Sequence, residues 1–417
     1  MSNTIDPGRT ADVRAKTSGH RETRSPGLPQ LVLLLAASCM SVLGAVLIAP
    51  VLPQMTDYFS STAGAQILVP IVLTVPALMI GLAAPFAGLI VDAIDRKRLL
   101  IGALVAYSVF GTAPLYLNSL GAIIGSRVLV GLCEAAIMTC CTTLIGDYWA
   151  GAQRARALGL QTLVAALSAT VFLAVGGALG SSGWRTPFWL YLIAILLAAP
   201  MSRLIWQPAA HPRAQRAGRR RRLQPLPWCQ ILVPCLVTIF AGVIFYALIV
   251  QLSFVLTGVA VASTATIGLI SALMSLGTAV GSGSFAKLSR FTPRTLLPIA
   301  FGLSAVGLVV VFASTAVPVI TVGAVLTGLG TGLLLPTLLT WAVNSLHFEQ
   351  RGRGTGLWTG TLFIGQFTSP LIIAAIGVAA GGLQPALGVL GIVAAVMAVV
   401  TGLTLPRNAR PLTATTD

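Results

Sequence analysis

Apolar stretches of about 20 residues, each long enough to cross the hydrocarbon of a bilayer, recur along the whole chain. They fall at 31–52, 67–91, 99–116, 120–146, 157–180 and 186–205, then, after a polar break, at 228–256, 264–286, 295–314, 319–345, 355–379 and 385–405. In lipid no water satisfies the backbone, so runs of this length must close their hydrogen bonds internally as helices. Charged residues make up 9% of the chain and hydrophobic residues 56%, where a soluble domain carries about 25% charge. A soluble enzyme and a disordered scaffold are both excluded. The expected fold is an all-α membrane protein of twelve transmembrane helices in two six-helix bundles.

The charge pattern orients these spans. An even number of spans puts both termini on one face. All but two of the 26 Lys and Arg fall on that face, the exceptions being Arg185 in a short opposite loop and Arg127 inside a span. Positive residues mark the cytoplasmic side, so both termini are expected there. The net charge of +16 therefore belongs to topology, and no basic face interleaved with aromatics invites nucleic acid. The expected organisation is a cytoplasmic tail over 1–28, a bundle over 29–206, a basic linker over 207–227, a second bundle over 228–406 and a tail over 407–417. The linker's Arg219-Arg220-Arg221-Arg222 reads as a positive-inside marker or as a contact for anionic lipid. The first apolar run begins at Leu31 and continues too far to be a signal peptide. Cys39, Cys133, Cys140, Cys141, Cys229 and Cys235 lie in apolar runs without metal or redox spacing and read as apolar filler. Trp149, Trp206 and Trp228 fall at span ends, where interfacial anchoring explains them.

The halves repeat. Gln153-Arg154-Ala155-Arg156-Ala157-Leu158-Gly159-Leu160 enters the fifth span, and Gln350-Arg351-Gly352-Arg353-Gly354-Thr355-Gly356-Leu357 enters the eleventh at a constant offset. Parallel six-span halves are a transporter signature. Gly277-x-x-x-Gly281 and Gly356-x-x-x-Gly360 permit close helix contact in spans eight and eleven, where gates would slide.

Several short motifs carry a resemblance. Gly88, Asp92, Arg96 and Lys97 fit the loop pattern G-x-L-A-D-R-x-G-R-K between spans two and three, with Ala93 and Asp95 as departures. Arg127-x-x-x-Gly131 lies in span four, and Gly183-Trp184-Arg185 precedes Phe188 at span six. In order and at these spans, the motifs resemble those of the major facilitator superfamily, in its twelve-span drug/proton antiporter-like group. The exporter motif of span five is half present: Gly176-Gly177 fit, while Phe172 and Leu173 stand where Gly-Pro would be. Gly365-Gln366-Phe367-Thr368-Ser369-Pro370 and Ala49-Pro50-Val51-Leu52-Pro53 are similar to exporter segments. The resemblance implies a monomeric, multi-pass transporter of the bacterial inner membrane, with spans one, four, seven and ten around a central cavity. It also implies a cytoplasmic gate in which Gly88, Asp92, Arg96, Lys97 and Asp147 take part. Asp92 would face the start of span eleven, and Asp147 would pair with Arg96.

The chemistry available is sparse. No phosphate loop G-x-x-x-x-G-K-[ST] occurs, and His20, His211 and His347 lie in tails or loops. Neither a cofactor nor a metal is expected. Glu134 alone among the ten acids lies deep in a span, near the bilayer midplane, where an ionisable residue is costly and usually functional. A proton is the simplest coupling ion. Arg127 shares its helix face but sits about 10 Å away along the axis, too far for a tight pair. It takes part in proton coupling, or else is a structural charge bonded to backbone carbonyls. By resemblance, Glu134, Met138, Tyr246, Gln251, Phe254, Trp341 and Asn344 would line the substrate site, a composition suited to an amphipathic ligand. The expected function is alternating-access transport of a small lipophilic or amphipathic molecule, most simply proton-coupled efflux. Uptake or facilitated diffusion of a small polar metabolite and a non-transporting membrane sensor are the alternatives.

Overall fold

The computed structural model describes residues 26–86, 94–207, 227–344, 346 and 350–405. Gly88 and Asp92, most of both tails and most of the basic linker lie outside them. Among the described residues twelve helices are long and apolar enough to cross a membrane. We number them α1 (Leu28–Tyr58), α2 (Ala65–Ala83), α3 (Arg96–Leu115), α4 (Leu120–Tyr148), α5 (Gly151–Gly180) and α6 (Thr186–Leu204). The second half holds α7 (Trp228–Gly258), α8 (Thr264–Leu288), α9 (Pro293–Ala313), α10 (Val317–Asn344), α11 (Arg351–Ala380) and α12 (Leu383–Thr404).

The sequence explains where these helices start and break. Pro50 and Pro53 deny α1 two backbone donors and crowd the preceding turn, and the helix tightens to a 3-10 turn over Ala49–Val51. Asp95, the departure from the loop motif, caps α3 by accepting the Arg98 backbone N–H at 2.9 Å. Ser263 caps α8 in the same way. Helices α5 and α11 both begin several residues before their apolar runs, taking in Arg154 and Arg351. Hydropathy marks only the lipid-crossing part, whereas helical hydrogen bonding continues into the interface. Helix α2 ends at Ala83, with 87–91 of the expected run outside the described residues, and α6 opens as 3-10 over Thr186–Leu192 behind Pro187.

Each half has its own apolar core. Two helix pairs join the halves, α5 with α8 and α2 with α11, which exchange under the pseudo-twofold that the repeat implied. Glycine permits both. A Cβ at Gly177 would lie 2.6 Å from the Gly268 Cα and from the Thr264 carbonyl oxygen, and one at Gly81 would lie 3.2 Å from the Gly360 carbonyl. The two G-x-x-x-G pairs therefore differ. Gly356 and Gly360 face α2 of the other half, whereas Gly277 and Gly281 face Val325 and Leu329 of α10 within their own half. Only the first pair sits where the halves can slide.

The halves close at the end away from the start of α1. There the Gln54 side-chain amide donates to the Gly180 carbonyl (3.2 Å) and the Thr264 hydroxyl (3.0 Å), and Gly176 packs on the Leu47 carbonyl. Midway down, Thr170 of α5 donates to Ser275 of α8 at 3.2 Å. Towards the start of α1 the described parts of α4 and α5 hardly touch α10 and α11, while α11 still meets the end of α2 at Gly356 and Gly360, and a space lies between the halves.

Candidate transport cavity

That space is a cavity of about 310 Å³ between the halves, within the size range of small-molecule sites. It is walled chiefly by aliphatic, alanine and aromatic side chains from α1, α2, α4 and α5 on one side and α7, α8, α10 and α11 on the other. Among the expected ligands, Glu134, Met138 and Tyr246 line it; Gln251, Phe254, Trp341 and Asn344 do not. Gln251 and Phe254 lie one to two turns beyond Tyr246 at the closed end, where Phe254 packs against the core of the first half. Trp341 and Asn344 lie beyond Leu335, the last residue α10 gives to the wall. The helices named by the family pattern, α1, α4, α7 and α10, all give residues to the wall, and the depth along each helix depends on where the halves meet.

Glu134 is fully buried, and neither carboxylate oxygen has a hydrogen-bond partner. Its seat is Gly44 of α1: a Cβ there would fall on the carboxylate, so only glycine lets Glu134 reach this place. Two tyrosines flank it, both committed to α1 carbonyls. Tyr107 donates to Met40 at 2.6 Å, and Tyr246, across the interface from α7, donates to Ala45 at 2.5 Å. The single carboxylate of the wall thus adjoins a hydrogen bond that ties the halves together.

Arg127 is elsewhere. It is buried but outside the cavity wall. Its guanidinium donates to the Tyr191 hydroxyl (2.8 Å) and the Gly111 carbonyl (2.8 Å), with the Phe110 carbonyl at 3.3 Å. It also lies 4.9 Å and 5.1 Å from the ring centres of Tyr191 and Phe188. Of the two readings of Arg127, this geometry is the structural one: the side chain fastens α4 to α3 and α6. The motif's other member, Gly131, lies against Pro76 and Met79 of α2, where a Cβ would collide. Arg127-x-x-x-Gly131 is thus a packing device with four helices as its clients.

Near the open end, Arg96 and Asp147 form an ion pair, as their places in the sequence implied. The Lys97 backbone N–H donates to Gln207 at 3.4 Å. Tyr148 stacks on Trp206 and exchanges hydrogen bonds with its backbone, holding the end of α4 to the exit of α6. The part of Gly88 and Asp92 in this gate lies outside the described residues. Three cavity features were not singled out from sequence: Ser41, the seat Gly44 and Gln366. Gln366 stood in a quoted segment, and a mid-span amide was the available signal. Nothing in the sequence marked Gly44 among 43 glycines.

Twelve helices in two pseudo-symmetric halves around a cavity define a membrane transporter. The chain belongs to the Major Facilitator Superfamily, whose family model matches residues 34–262 and 235–417. It is 27% identical over 215 residues to Multidrug resistance protein 1 of Bacillus subtilis (strain 168), covering 49% of this chain and 53% of that protein. It is 26% identical over 175 residues to Multidrug resistance protein 2 of the same organism, covering 41% and 42%. The alignments thus span about half the length of these relatives. In fold it is similar to a bacterial homolog of the human lysosomal transporter Spinster in an inward-facing, unoccupied conformation (TM-score 0.75, 15% identity, 90% of this chain and 96% of that one). It is equally similar to a D-xylose–proton symporter (TM-score 0.75, 13% identity, 90% and 97%).

Proposed function

We propose that this transporter exports small lipophilic cations in exchange for protons. The observation that carries the reading is Glu134: one buried carboxylate without a partner, on the wall of an otherwise apolar cavity. A charge buried without a partner is strongly unfavourable, so the carboxylate needs either a proton or a cationic ligand. Those two occupants exclude each other at one group. Exclusion of this kind couples a proton gradient to cation export without a second site. The multidrug names of the partial relatives are consistent with it. Import of a polar metabolite fits less well, because such a solute needs many fixed polar groups and the wall offers few.

On this reading the basic face is cytoplasmic and the membrane is the bacterial plasma membrane, by the positive-inside rule. Wall residues such as Ser41, Ile80 and Ser282 then lie in the cytoplasmic halves of their helices, where an exporter loads. Arg96–Asp147 belongs to the cytoplasmic gate, and Asp92 would join it by facing the start of α11. The protein works as a monomer with lipid, substrate and protons as its partners and needs no cofactor.

The test uses proteoliposomes with an imposed pH gradient and a lipophilic cation of fixed charge. Wild-type protein accumulates the cation against its gradient when protons flow the other way. Glu134→Gln, which keeps the shape and removes the titration, does not. Accumulation by that variant at the wild-type rate would put the proton path elsewhere.

A further inference from the structure

The exporter reading leaves open which kind of cation Glu134 receives, and the hydrogen bonds around it narrow the choice. The nearby tyrosine donors are bonded elsewhere, and the Arg127 Nε, buried without a partner, belongs to a side chain outside the cavity wall. Tyr107 and Tyr246 donate to the Met40 and Ala45 carbonyls, and Arg127 is held by Tyr191 and α3 carbonyls. Gly44 brings no side chain. Three residues before Gly44, on the same face of α1, stands Ser41. Buried serines in these helices commonly donate to their own backbone, as Ser38 does to Leu34 and Ser271 to Ile267. Ser41 does not: the residue lines the cavity, and its Oγ is buried with no partner.

Three side-chain oxygens, Ser41 Oγ and both oxygens of Glu134, thus belong to the wall of one cavity, buried and with nothing bonded to them. Beyond its hydroxyls, the opposite half offers one polar side chain, the Gln366 amide of α11. Thr278 and Ser282 donate to the Met274 and Gly332 carbonyls, and the Thr327 oxygen is turned towards Gly307 of α9. That half presents mainly an apolar wall.

Resting on the exporter reading, we infer that Ser41 and Glu134 together recognise the N–H groups of a protonated amine. The substrate class is an amphipathic amine with at least two N–H donors, its apolar body lying against the α7–α11 side. A primary ammonium gives one N–H to the carboxylate and one to Ser41. A quaternary ammonium carries the same charge with no donor, and leaves all three oxygens unpaired in a dry site. Sites built around buried hydrogen-bonding groups discriminate strongly against analogues that lack the complementary group.

The experiment is calorimetric titration of the purified full-length transporter in detergent at neutral pH, which avoids passive permeation of the neutral amine. The probes are 4-phenylbutylamine and its N,N,N-trimethyl quaternary salt. The amine is expected to bind about tenfold or more tightly, the discrimination of one charge-assisted hydrogen bond. Ser41→Ala should narrow that ratio to about threefold, with the loss falling on the amine. Ser41→Thr, which keeps the hydroxyl, should restore the ratio, and Glu134→Ala should weaken both ligands. Equal affinities that still depend on Glu134 would overturn this inference and leave the exporter reading standing. A ratio that narrows in Ser41→Ala only because the quaternary salt binds better would mean steric selection and would also overturn it. Binding of neither probe would overturn both readings.

Discussion

Gly44→Ala tests the seat of Glu134 with a single methyl group. Two effects oppose each other. Alanine is favoured over glycine inside a helix by about 0.5–1 kcal/mol. Overpacking a filled site costs typically about 1–3 kcal/mol, and here the added Cβ falls on the Glu134 carboxylate itself. The clash should win by about 1–2 kcal/mol. The carboxylate is anchored by no hydrogen bond, so it moves and the α1 backbone stays. The five described free cysteines, Cys39, Cys133, Cys140, Cys141 and Cys235, are all buried. A thiol-reactive dye therefore reports unfolding without any added label. Gly44→Ala should melt a few degrees below wild type and lose pH-driven transport, as Glu134→Gln does. The double variant Gly44→Ala with Glu134→Ala removes the clashing group. It should melt above the sum of the two single effects by about 1–2 kcal/mol and remain inactive. A Gly44→Ala protein with wild-type melting and wild-type coupling would refute this placement of the carboxylate.

Other expectations follow from the same contacts. Tyr246→Phe removes the bond to the Ala45 carbonyl, worth about 1 kcal/mol. It should raise the population open at the far end about fivefold, read as the labelling rate of Val51→Cys from that side. Gly177→Val has no room between Gly268 and Thr264 and should abolish transport, whereas Gly102→Ala, which meets nothing within 4 Å, should leave it intact. Transport assays on the pair separate an interface effect from a general intolerance of glycine replacement. Arg127→Lys cannot reproduce the guanidinium's several directed bonds and should lower the melting temperature while pH-driven transport persists. Wild-type melting with lost coupling would contradict the structural role of Arg127.

Much of this architecture is legible in the sequence because the bilayer restricts the options. A run such as 264–286 can only be a spanning helix, and the placement of Arg96, Arg154 and Arg351 on one face reports topology before any contact is known. Glu134 stands out for the same reason, as a carboxylate where water is absent. What stays hidden depends on the meeting of distant segments. The expected ligand Asn344 lies on α10 beyond Leu335, the last residue that helix gives to the wall. The sequence left two readings of Arg127 open because the Tyr191 hydroxyl and the Gly111 carbonyl that it bonds come from other helices. Gly44 shows its importance only against the Glu134 side chain that lies on it. Helix periodicity is written locally, whereas the commitment of each hydrogen bond is a property of the packed bundle.

The central claim is that one buried carboxylate holds either a proton or a cation. Purified protein in weakly buffered detergent, titrated with a lipophilic cation of fixed charge, tests it most directly, because the ligand itself brings no proton. Reciprocal linkage requires that a ligand which competes with a proton releases it. Wild-type protein should therefore acidify the solution by about one proton per cation bound, and Glu134→Gln should release none. Binding to wild type without acidification, or the same release from Glu134→Gln, would contradict the account.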